Sequence, residues 1–286
     1  MHAKKLSFPL AVVMGVALVV VLFPVFWIAM TSIKPPIDWN ASPAIWLPSE
    51  PTLINFQTLF NPDAIREYGV GGVSQAATKS VIGSVLASVV STALSVLIGL
   101  FSAIGITRYG SGSKATPLII LSGRMFPPAA IAVPFVIIFS NVGLTDSYTG
   151  IIAIYVAATL PFSTWMLKSF VEDLPREIEE AAMIDGRSRL AAHLTVTIPL
   201  IRGGLFATTL FIFILNWSEF MFALVLSYSN VSTIPVQLAK YVTATAGTLY
   251  GVQAALAVLA MVPLILAGYL IQSHLARGMT FGAIKK

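Results

Sequence analysis

The sequence lacks cysteine and is poor in charged residues. Among its 286 residues, 10% are charged, as 12 acidic and 17 basic side chains, whereas 57% are hydrophobic. Without cysteine the chain has no disulfide bond, thiolate nucleophile or cysteine-ligated metal, and its three histidines lie too far apart in sequence to suggest a metal site. Soluble globular domains carry about 25% charged residues. The composition therefore excludes an ordinary soluble domain and predicts a polytopic membrane protein.

Two further absences limit the chemistry that the chain can perform. No phosphate-binding loop of the form GxxxxGK[ST] occurs, so the chain does not bind ATP by that route. No Ser/His, His/Glu or Asp/Asp set clusters within the apolar runs, which argues against a membrane-embedded enzyme. The net charge of +5 does not indicate a nucleic-acid partner, because basic residues in membrane proteins usually report topology. We therefore expect no catalytic site and no metal or other cofactor bound by this chain.

Six apolar runs are long enough to cross a bilayer, which takes about 20 residues of helix. Their residue ranges are 6–33, 80–107, 115–145, 147–167, 203–239 and 241–276. Arg124 interrupts the third run and Glu219 the fifth, and the last two runs exceed one span, so loops must occupy part of each. The prediction is an all-α membrane protein with six transmembrane helices.

The distribution of lysine and arginine predicts the orientation of these spans. An even number of spans puts both termini on one side, and twelve basic residues fall there: Lys4, Lys5, Arg108, Lys114, Lys168, Arg176, Arg187, Arg189, Arg202, Arg277, Lys285 and Lys286. Four fall on the other side: Lys34, Arg66, Lys79 and Lys240. Because cytoplasmic loops are enriched in basic residues, both termini are predicted to be cytoplasmic.

The predicted organisation has three parts. Residues 1–33 form the N-terminal end and the first span, which is about twice the length of a secretory signal core and is expected to be retained. Residues 34–79 form a periplasmic loop, and residues 80–286 form a core of the other five spans. Within this core we expect an inner loop at 168–202 and a cytoplasmic tail at 277–286.

The first half of the inner loop has the pattern of a short helix. Pro175 suits the first helical position, and Gly186 suits the position just beyond the end, where φ is usually positive. The first turns contain acidic residues, which the helix dipole favours: Glu177, Glu179 and Glu180. Ile178, Ala181 and Ala182 have the spacing of one helix face. The small residues at the centre permit close approach by another protein.

The second half of the inner loop predicts another short helix at an angle to the first. Ser188 is a suitable cap for its beginning. Pro199 stands where this helix should give way to the next membrane span.

The same loop resembles the EAA motif of importer-type ABC permeases. The matching residues are Glu180-Ala181-Ala182, then Gly186 after three residues, then Val196-Thr197-Ile198-Pro199 after nine more. Asp185-Gly186 is similar to the frequent DG form of that motif. In this family the loop is a coupling helix that docks into a groove on the cytoplasmic ATPase. The resemblance thus implies that the ATPase-coupling residues are Glu180, Ala181, Ala182, Asp185, Gly186, Ile198 and Pro199.

Other segments resemble the carbohydrate-uptake branch of that family. Residues similar to its third and fourth spans are Pro127, Pro134, Gly143-Leu144, Pro161-Phe162 and Trp165, and residues 216–220 resemble its fifth span. Residues 277–285 resemble the RGxxxGAxK ending of MalG-like members, which reaches into the ATPase dimer. The tail residues implied to contact the ATPase are Gly278, Gly282, Ala283 and Lys285. The small Gly278, Gly282 and Ala283, followed by lysine, suit a flexible strand. His193 departs from the pattern, because the family usually has a bulky aromatic residue there.

The resemblance implies a MetI-like permease core and a role as one of two permease subunits in a sugar-type importer of the bacterial inner membrane. The implied partners are a second, MalF-like permease, a MalK-like ATPase dimer that binds ATP and Mg²⁺, and a soluble periplasmic binding protein, with lipid around the spans. ATP hydrolysis would then occur in a separate subunit.

Two formal charges, Arg124 and Glu219, lie well inside apolar runs. Charges there are costly and usually face a bundle interior or a wet cavity. One interpretation places them along the translocation path, with Asn216 as a polar neighbour of Glu219 and with Tyr155 able to stack on a sugar ring. The other interpretation has Arg124 reaching towards the cytoplasm and Glu219 satisfied by a neighbouring helix.

Two alternatives to a sugar permease stay open at this point. An ABC permease for another solute, such as a peptide or phosphonate, would share the loop, although the tail motif argues against it. An ion-driven secondary transporter would need paired acidic residues or broken helices at the midplane. Glu219 alone gives little support to this alternative. The sequence does not name the sugar, polyol or glycoside.

Overall fold

The structure, a computed structural model, describes residues 8–71, 75–112, 115–122, 127–243 and 247–282. The helices are α1 (Phe8–Ser32), α2 (Ile54–Phe60), α3 (Thr78–Tyr109), α4 (Thr116–Ser122), α5 (Pro128–Asn141), α6 (Tyr148–Glu172), α7 (Arg176–Ile184), α8 (Arg189–Ala192), α9 (Ile198–Leu200), α10 (Arg202–Trp217), α11 (Met221–Leu226), α12 (Ile234–Lys240) and α13 (Tyr250–Gly282). Shorter 3₁₀ turns lie at Pro36–Asp38 and Ala64–Tyr68, and a π-helical turn lies at His193–Thr197. The predicted all-α class is confirmed, apart from two-residue antiparallel strands β1 (Val242–Thr243) and β2 (Gly247–Thr248).

Within the described ranges, four helices are long and apolar enough to cross a membrane: α1, α3, α6 and the Tyr250–Leu270 part of α13. A fifth span results if Arg189–Leu200 and Arg202–Trp217, bent by 77°, count as one. Helix α5 is apolar but has only 14 residues. The structure therefore gives four or five spans, and the predicted six is not confirmed. Two predicted spans consist of shorter helices, because hydropathy does not show where an apolar run breaks.

The chain divides into two compact units. One comprises residues 1–78 and 237–262, and the other comprises residues 79–236 and 263–286. In the first unit, Asn55 joins α2 to the end of α1, since its Nδ2 donates to the carbonyl oxygens of Ser32 and Lys34 at 2.9 and 2.8 Å. The Lys34 ammonium lies 4.0 Å from the Trp27 ring centroid, which adds a cation–π contact at the same place. The segment after α1 is thus tied to that helix by specific polar contacts.

In the second unit, the buried face of α3 carries a stripe of small residues that recurs with the helical period, with the larger Val96, Leu100 and Ile104 near its end. The small residues are Ser80, Gly83, Ser84, Ala87, Ser88, Ser91, Thr92, Ser95, Gly99 and Ala103. Small side chains allow helix backbones to approach closely in a membrane. The Ser95 and Thr159 hydroxyls lie 2.9 Å apart, and the Ser163 hydroxyl donates to the Ser95 carbonyl at 2.6 Å. Hydroxyl hydrogen bonds therefore hold α3 against α6.

Asp146 joins two loops of the second unit. Its carboxylate accepts hydrogen bonds from the backbone N–H groups of residues 228–231 at 2.8–3.1 Å. Partial burial raises the pKa of this carboxyl, but the four N–H groups outweigh that effect and hold the pKa well below its usual range. The loop before α6 and the loop after α11 are thus fixed to each other by an ionised side chain.

We predict that Asp146→Asn lowers the thermal stability of the purified protein at pH 7. Because the folded-state pKa of Asp146 is depressed, its stabilising effect is complete above the ordinary aspartate pKa of about 3.9. That effect is lost as the pH falls towards the folded value. The difference in melting temperature between wild type and variant should therefore shrink below about pH 4. Asp63→Asn, in the exposed Asp63–Arg66 ion pair, is the control and should have little effect. A difference that is constant from pH 7 to pH 3 would contradict the prediction.

Candidate coupling loop and intramembrane polar groups

Local sequence signals set the ends of α7. Pro175 lies one position before the helix, with φ −58° and ψ 134°, so the prediction that it occupies the first helical position is wrong by one residue. Gly186 has φ +87°, as predicted. The N–H of Gly186 donates to Met183 and that of Arg187 to Ala182, which satisfies carbonyl groups at the helix end. The chain then turns towards α8.

Helix α7 turns one side towards the rest of the chain and leaves the other side exposed. Ala182 is buried, whereas Ile178 and Ala181 are exposed, so these three residues do not share one environment. The reason is Glu179, which is buried with Ala182 and turns that side of the helix towards the chain. Four of the predicted coupling residues are exposed together: Glu180, Ala181, Asp185 and Gly186.

Glu179 forms a buried ion pair with Arg108 at the end of α3. The Arg108 Nε donates to both carboxylate oxygens, at 3.0 and 2.9 Å, and the two side chains are only 6% and 7% exposed. This pair is not predicted by the sequence, in which Arg108 serves as a topology signal and Glu179 as a helix-dipole residue. A separation of 71 residues leaves no sequence signal that would join them.

The second half of the loop follows the predicted outline. The Ser188 hydroxyl accepts from the Ala191 N–H at 3.3 Å and caps α8, as expected. Pro199 lies in α9, and the chain bends at Ile201, two residues later, before α10 begins. Ile198 is half-buried and Pro199 is exposed.

Glu219 lies in a break between α10 and α11. One carboxylate oxygen accepts from the Phe222 N–H at 2.9 Å, and the other accepts from the Ala223 N–H at 3.1 Å. The carboxylate thus caps the first turn of α11, where the helix dipole favours negative charge. The hydroxyl of Tyr155, a residue that is 1% exposed, donates to the Glu219 carbonyl at 3.3 Å. Tyr155 therefore packs inside the unit rather than presenting a ring on its surface.

The predicted pairing of Asn216 with Glu219 on one helix face is wrong. Helix α10 ends at Trp217, so Glu219 has already left it. Asn216 is buried, and its Nδ2 donates to the Thr92 hydroxyl on α3 at 3.1 Å. Its polar side chain joins two helices.

We predict that Glu219→Ala destabilises the protein by about 0.5–2 kcal/mol, the usual cost of losing a helix cap. Glu219→Gln keeps one acceptor oxygen and should have a smaller effect. Thermal denaturation in detergent measures both, with Glu172→Gln on exposed α6 surface as the control. If Glu219→Ala and the wild type have the same melting temperature, the carboxylate does not stabilise α11.

Comparisons with known proteins agree with this architecture. Residues 95–281 match the family model described as "Binding-protein-dependent transport system inner membrane component". The chain belongs to this family. A relative from Agrobacterium fabrum, the sulfoquinovosyl glycerol transport system permease protein SmoH, is 32% identical over 92% of this chain and 89% of its own length. The trehalose/maltose transport system permease protein MalG of Thermococcus litoralis is 30% identical over 93% and 92%.

A solved structure of a bacterial ABC transporter that imports the acidic polysaccharide alginate has the same fold. One of its chains superposes with a TM-score of 0.71 at 21% identity, over 92% of this permease and 94% of that chain. A permease of an ABC importer works with a second permease, a separate ATPase and a substrate-binding protein. This permease is therefore a transport subunit and not the catalytic one.

The remaining predicted site residues of the permease are only partly described. Arg124 lies outside the described residues, as do Ala283 and Lys285. Helix α13 continues through Gly278 to Gly282, so this part of the predicted flexible tail is helical. A helix extends readily once formed, because each added residue gains a hydrogen bond.

Proposed function

We propose that this chain is one of two permease subunits of an ATP-driven importer for a sugar or sugar-containing solute, and that residues 176–199 couple it to the ATPase. The observation that carries the proposal is the exposed part of α7. It presents Glu180, Ala181 and Asp185 outward and ends in a left-handed glycine.

Apolar exposure supports a docking role for this loop. Ile184, at the end of α7, is 86% exposed, and Leu190 on α8 is also exposed. A groove on a partner protein would bury these side chains next to Glu180 and Asp185.

The orientation follows from this assignment. Since the ATPase is cytoplasmic, the loop and both termini lie in the cytoplasm, and the segment between α1 and α3 is periplasmic, where the binding protein delivers solute. ATP and Mg²⁺ bind the ATPase dimer, whose closure moves the loops together and turns the cavity from inward- to outward-facing, a form of alternating access. The tail residues Gly278, Gly282, Ala283 and Lys285 contact the ATPase when it assembles. Glu219, Asn216 and Tyr155 stabilise the helices around the path.

Sugar as the solute class is supported by relatives whose names include trehalose/maltose and sulfoquinovosyl glycerol transport. The solute class can be determined from uptake by proteoliposomes that contain the complete complex. Sugars, polyols, glycosides and peptides should be tested. Uptake of peptides alone would contradict it.

Co-purification from mild detergent tests the assembly. We expect a second permease and an ATPase to be recovered with the wild-type chain. Ala181→Arg puts a long charged side chain on the docking surface and should release the ATPase, whereas Ala44→Arg, on an exposed site after α1, should not. A stable chain recovered alone, without ATPase, would overturn the proposal.

A further inference from the structure

A polar cluster, buried except for the half-exposed Tyr109, lies where the last turn of α3 meets the loop of residues 176–199. We call it the junction cluster and define it by Arg108, Tyr109, Glu179, His193 and Thr197. Two of these residues belong to α3, one to α7 and two to the π-helical turn. The cluster therefore joins α3 to two elements of the loop, which lies more than 60 residues later in the sequence.

Every charged or polar side chain of the junction cluster has a partner within it. Besides the Arg108–Glu179 pair, the Thr197 hydroxyl donates to Glu179 Oε1 at 2.8 Å. The His193 ring lies between Tyr109 and Thr197, with Nε2 2.7 Å from the tyrosine hydroxyl and Nδ1 3.2 Å from the threonine hydroxyl. The Tyr109 and His193 rings meet edge to face, with centroids 5.7 Å apart. Both halves of the loop, α7 through Glu179 and the π-helical turn through His193, are thus fixed to one end of α3.

Two arginine contacts to backbone carbonyls extend the connection. Arg108 Nη2 donates to the Leu174 carbonyl, just before α7, at 3.0 Å. In the opposite direction, Arg176 Nη2 donates from the first residue of α7 to the Thr107 carbonyl at 2.8 Å. Each element therefore holds the backbone of the other, and neither can turn alone without breaking several bonds.

The second half of the loop reaches the cluster through its π-helical turn. Single π turns within α-helices are rare and frequently occur at functional sites. Here the turn brings His193 and Thr197, four residues apart, to the buried side where Glu179 lies. Residues on both halves of the loop thus contact the same carboxylate or its neighbours.

From this geometry we infer that Arg108, Glu179 and His193 are positioning residues that make α3 and the 176–199 loop a single rigid body, so that a displacement of the loop by the ATPase moves α3 with it. A buried ion pair resists separation, because each unpaired charge would be left in a medium of low polarity. This inference rests on the proposed coupling function, which supplies the force on the loop.

The rigid-body claim can be measured directly, since the chain has no cysteine and labels can be placed without background. Spin labels on Leu97→Cys in α3 and Leu194→Cys in the π-helical turn, both exposed positions, report the distance between α3 and the loop in the complete transporter. In the wild-type background the distance should be the same with and without ATP. A nucleotide-dependent change in that distance would overturn the inference.

Glu179→Gln tests the consequence for transport. It keeps the size of the side chain but removes the charge that holds Arg108. We expect the variant complex to assemble and hydrolyse ATP, while solute imported per ATP falls about fivefold or more, within the usual range of coupling between sites. The spin-label distance should then become nucleotide-dependent. Glu172→Gln, which removes the carboxylate of an ion pair within α6, is the matched control and should keep the wild-type ratio.

A double variant separates coupling from folding. Arg108→Met with Glu179→Met replaces the pair by apolar side chains of similar size, a change that is often neutral for stability. The double variant should fold and assemble but import little solute per ATP. If either the double variant or Glu179→Gln imports as much solute per ATP as the wild type, the cluster is only structural. If the wild-type chain itself neither binds an ATPase nor imports solute, the proposed function fails instead, and this experiment distinguishes the two failures.

Discussion

Replacing Gly186 by valine should abolish most transport while the protein still inserts into the membrane. With φ at +87°, Gly186 occupies a backbone conformation that a β-branched residue adopts only at a cost of about 1–3 kcal/mol. A Cβ at this position would meet nothing within 4 Å, so the cost comes from the backbone and not from a clash. If that strain displaces the end of α7 from its partner, transport falls by about 5- to 150-fold.

Asparagine at the same position is the informative control. Gly186→Asn also adds a side chain, but asparagine tolerates the left-handed conformation far better. We expect its uptake to stay close to wild type, with equal amounts of both variants in the membrane fraction. Equal uptake by Gly186→Val and wild type would show that the end of α7 does not position a docking surface.

Adding one methyl group to Gly83 should destabilise the protein by about 1–3 kcal/mol, the usual cost of overpacking. A Cβ on Gly83 would lie 2.0 Å from the backbone oxygen of Ser232, a distance that real contacts do not reach. That backbone has little freedom to move away. The Ile234 N–H donates to Ser84 on α3 at 2.7 Å, and Lys79 donates to the Ser229 carbonyl at 2.7 Å.

Gly105→Ala, on the same helix, should have the opposite sign. Its Cβ would meet the Ser111 hydroxyl at 3.5 Å, which is ordinary contact, and alanine favours a helix over glycine by about 1 kcal/mol. Thermal denaturation of the purified variants should therefore move the midpoint down for Gly83→Ala and slightly up for Gly105→Ala. If the midpoints of both variants move in the same direction, Gly83 is not required for close packing of α3 on the backbone of residues 231–234.

The features that sequence predicts well are local ones. Helices α1, α3 and α6 follow from long apolar runs with charges at their ends. The positive φ of Gly186 and the cap at Ser188 follow from residue types whose backbone preferences are strong. In each case the physical cause lies within a few residues of its effect.

The features that sequence missed depend on distant residues. In the sequence, Glu179 has the position of a helix-dipole residue. Its burial is explained only by the ion pair with Arg108 of α3, which forms in the folded structure. The fifth apolar run has enough hydropathy for a span, but hydropathy does not reveal that Glu219 ends one helix and caps the next. The side of α7 that faces inward was not predictable for the same reason, because the Arg108–Glu179 pair that buries it joins distant residues.

The buried stripe on α3 has a mechanical consequence. Large interdigitated side chains resist the sliding of one helix along another, because they would clash with their neighbours. Serine, glycine and alanine present a smoother surface. Hydroxyl groups can also exchange one carbonyl acceptor for the next along a facing helix. Shear between packed helices is one of the two common modes of domain motion. Small residues make up the buried face of α3 from Ser80 to Ser95, whereas Val96, Leu100 and Ile104 are buried nearer the loop. The first half of the helix is therefore suited to small lengthwise shifts, and the half next to the loop is interlocked with α6.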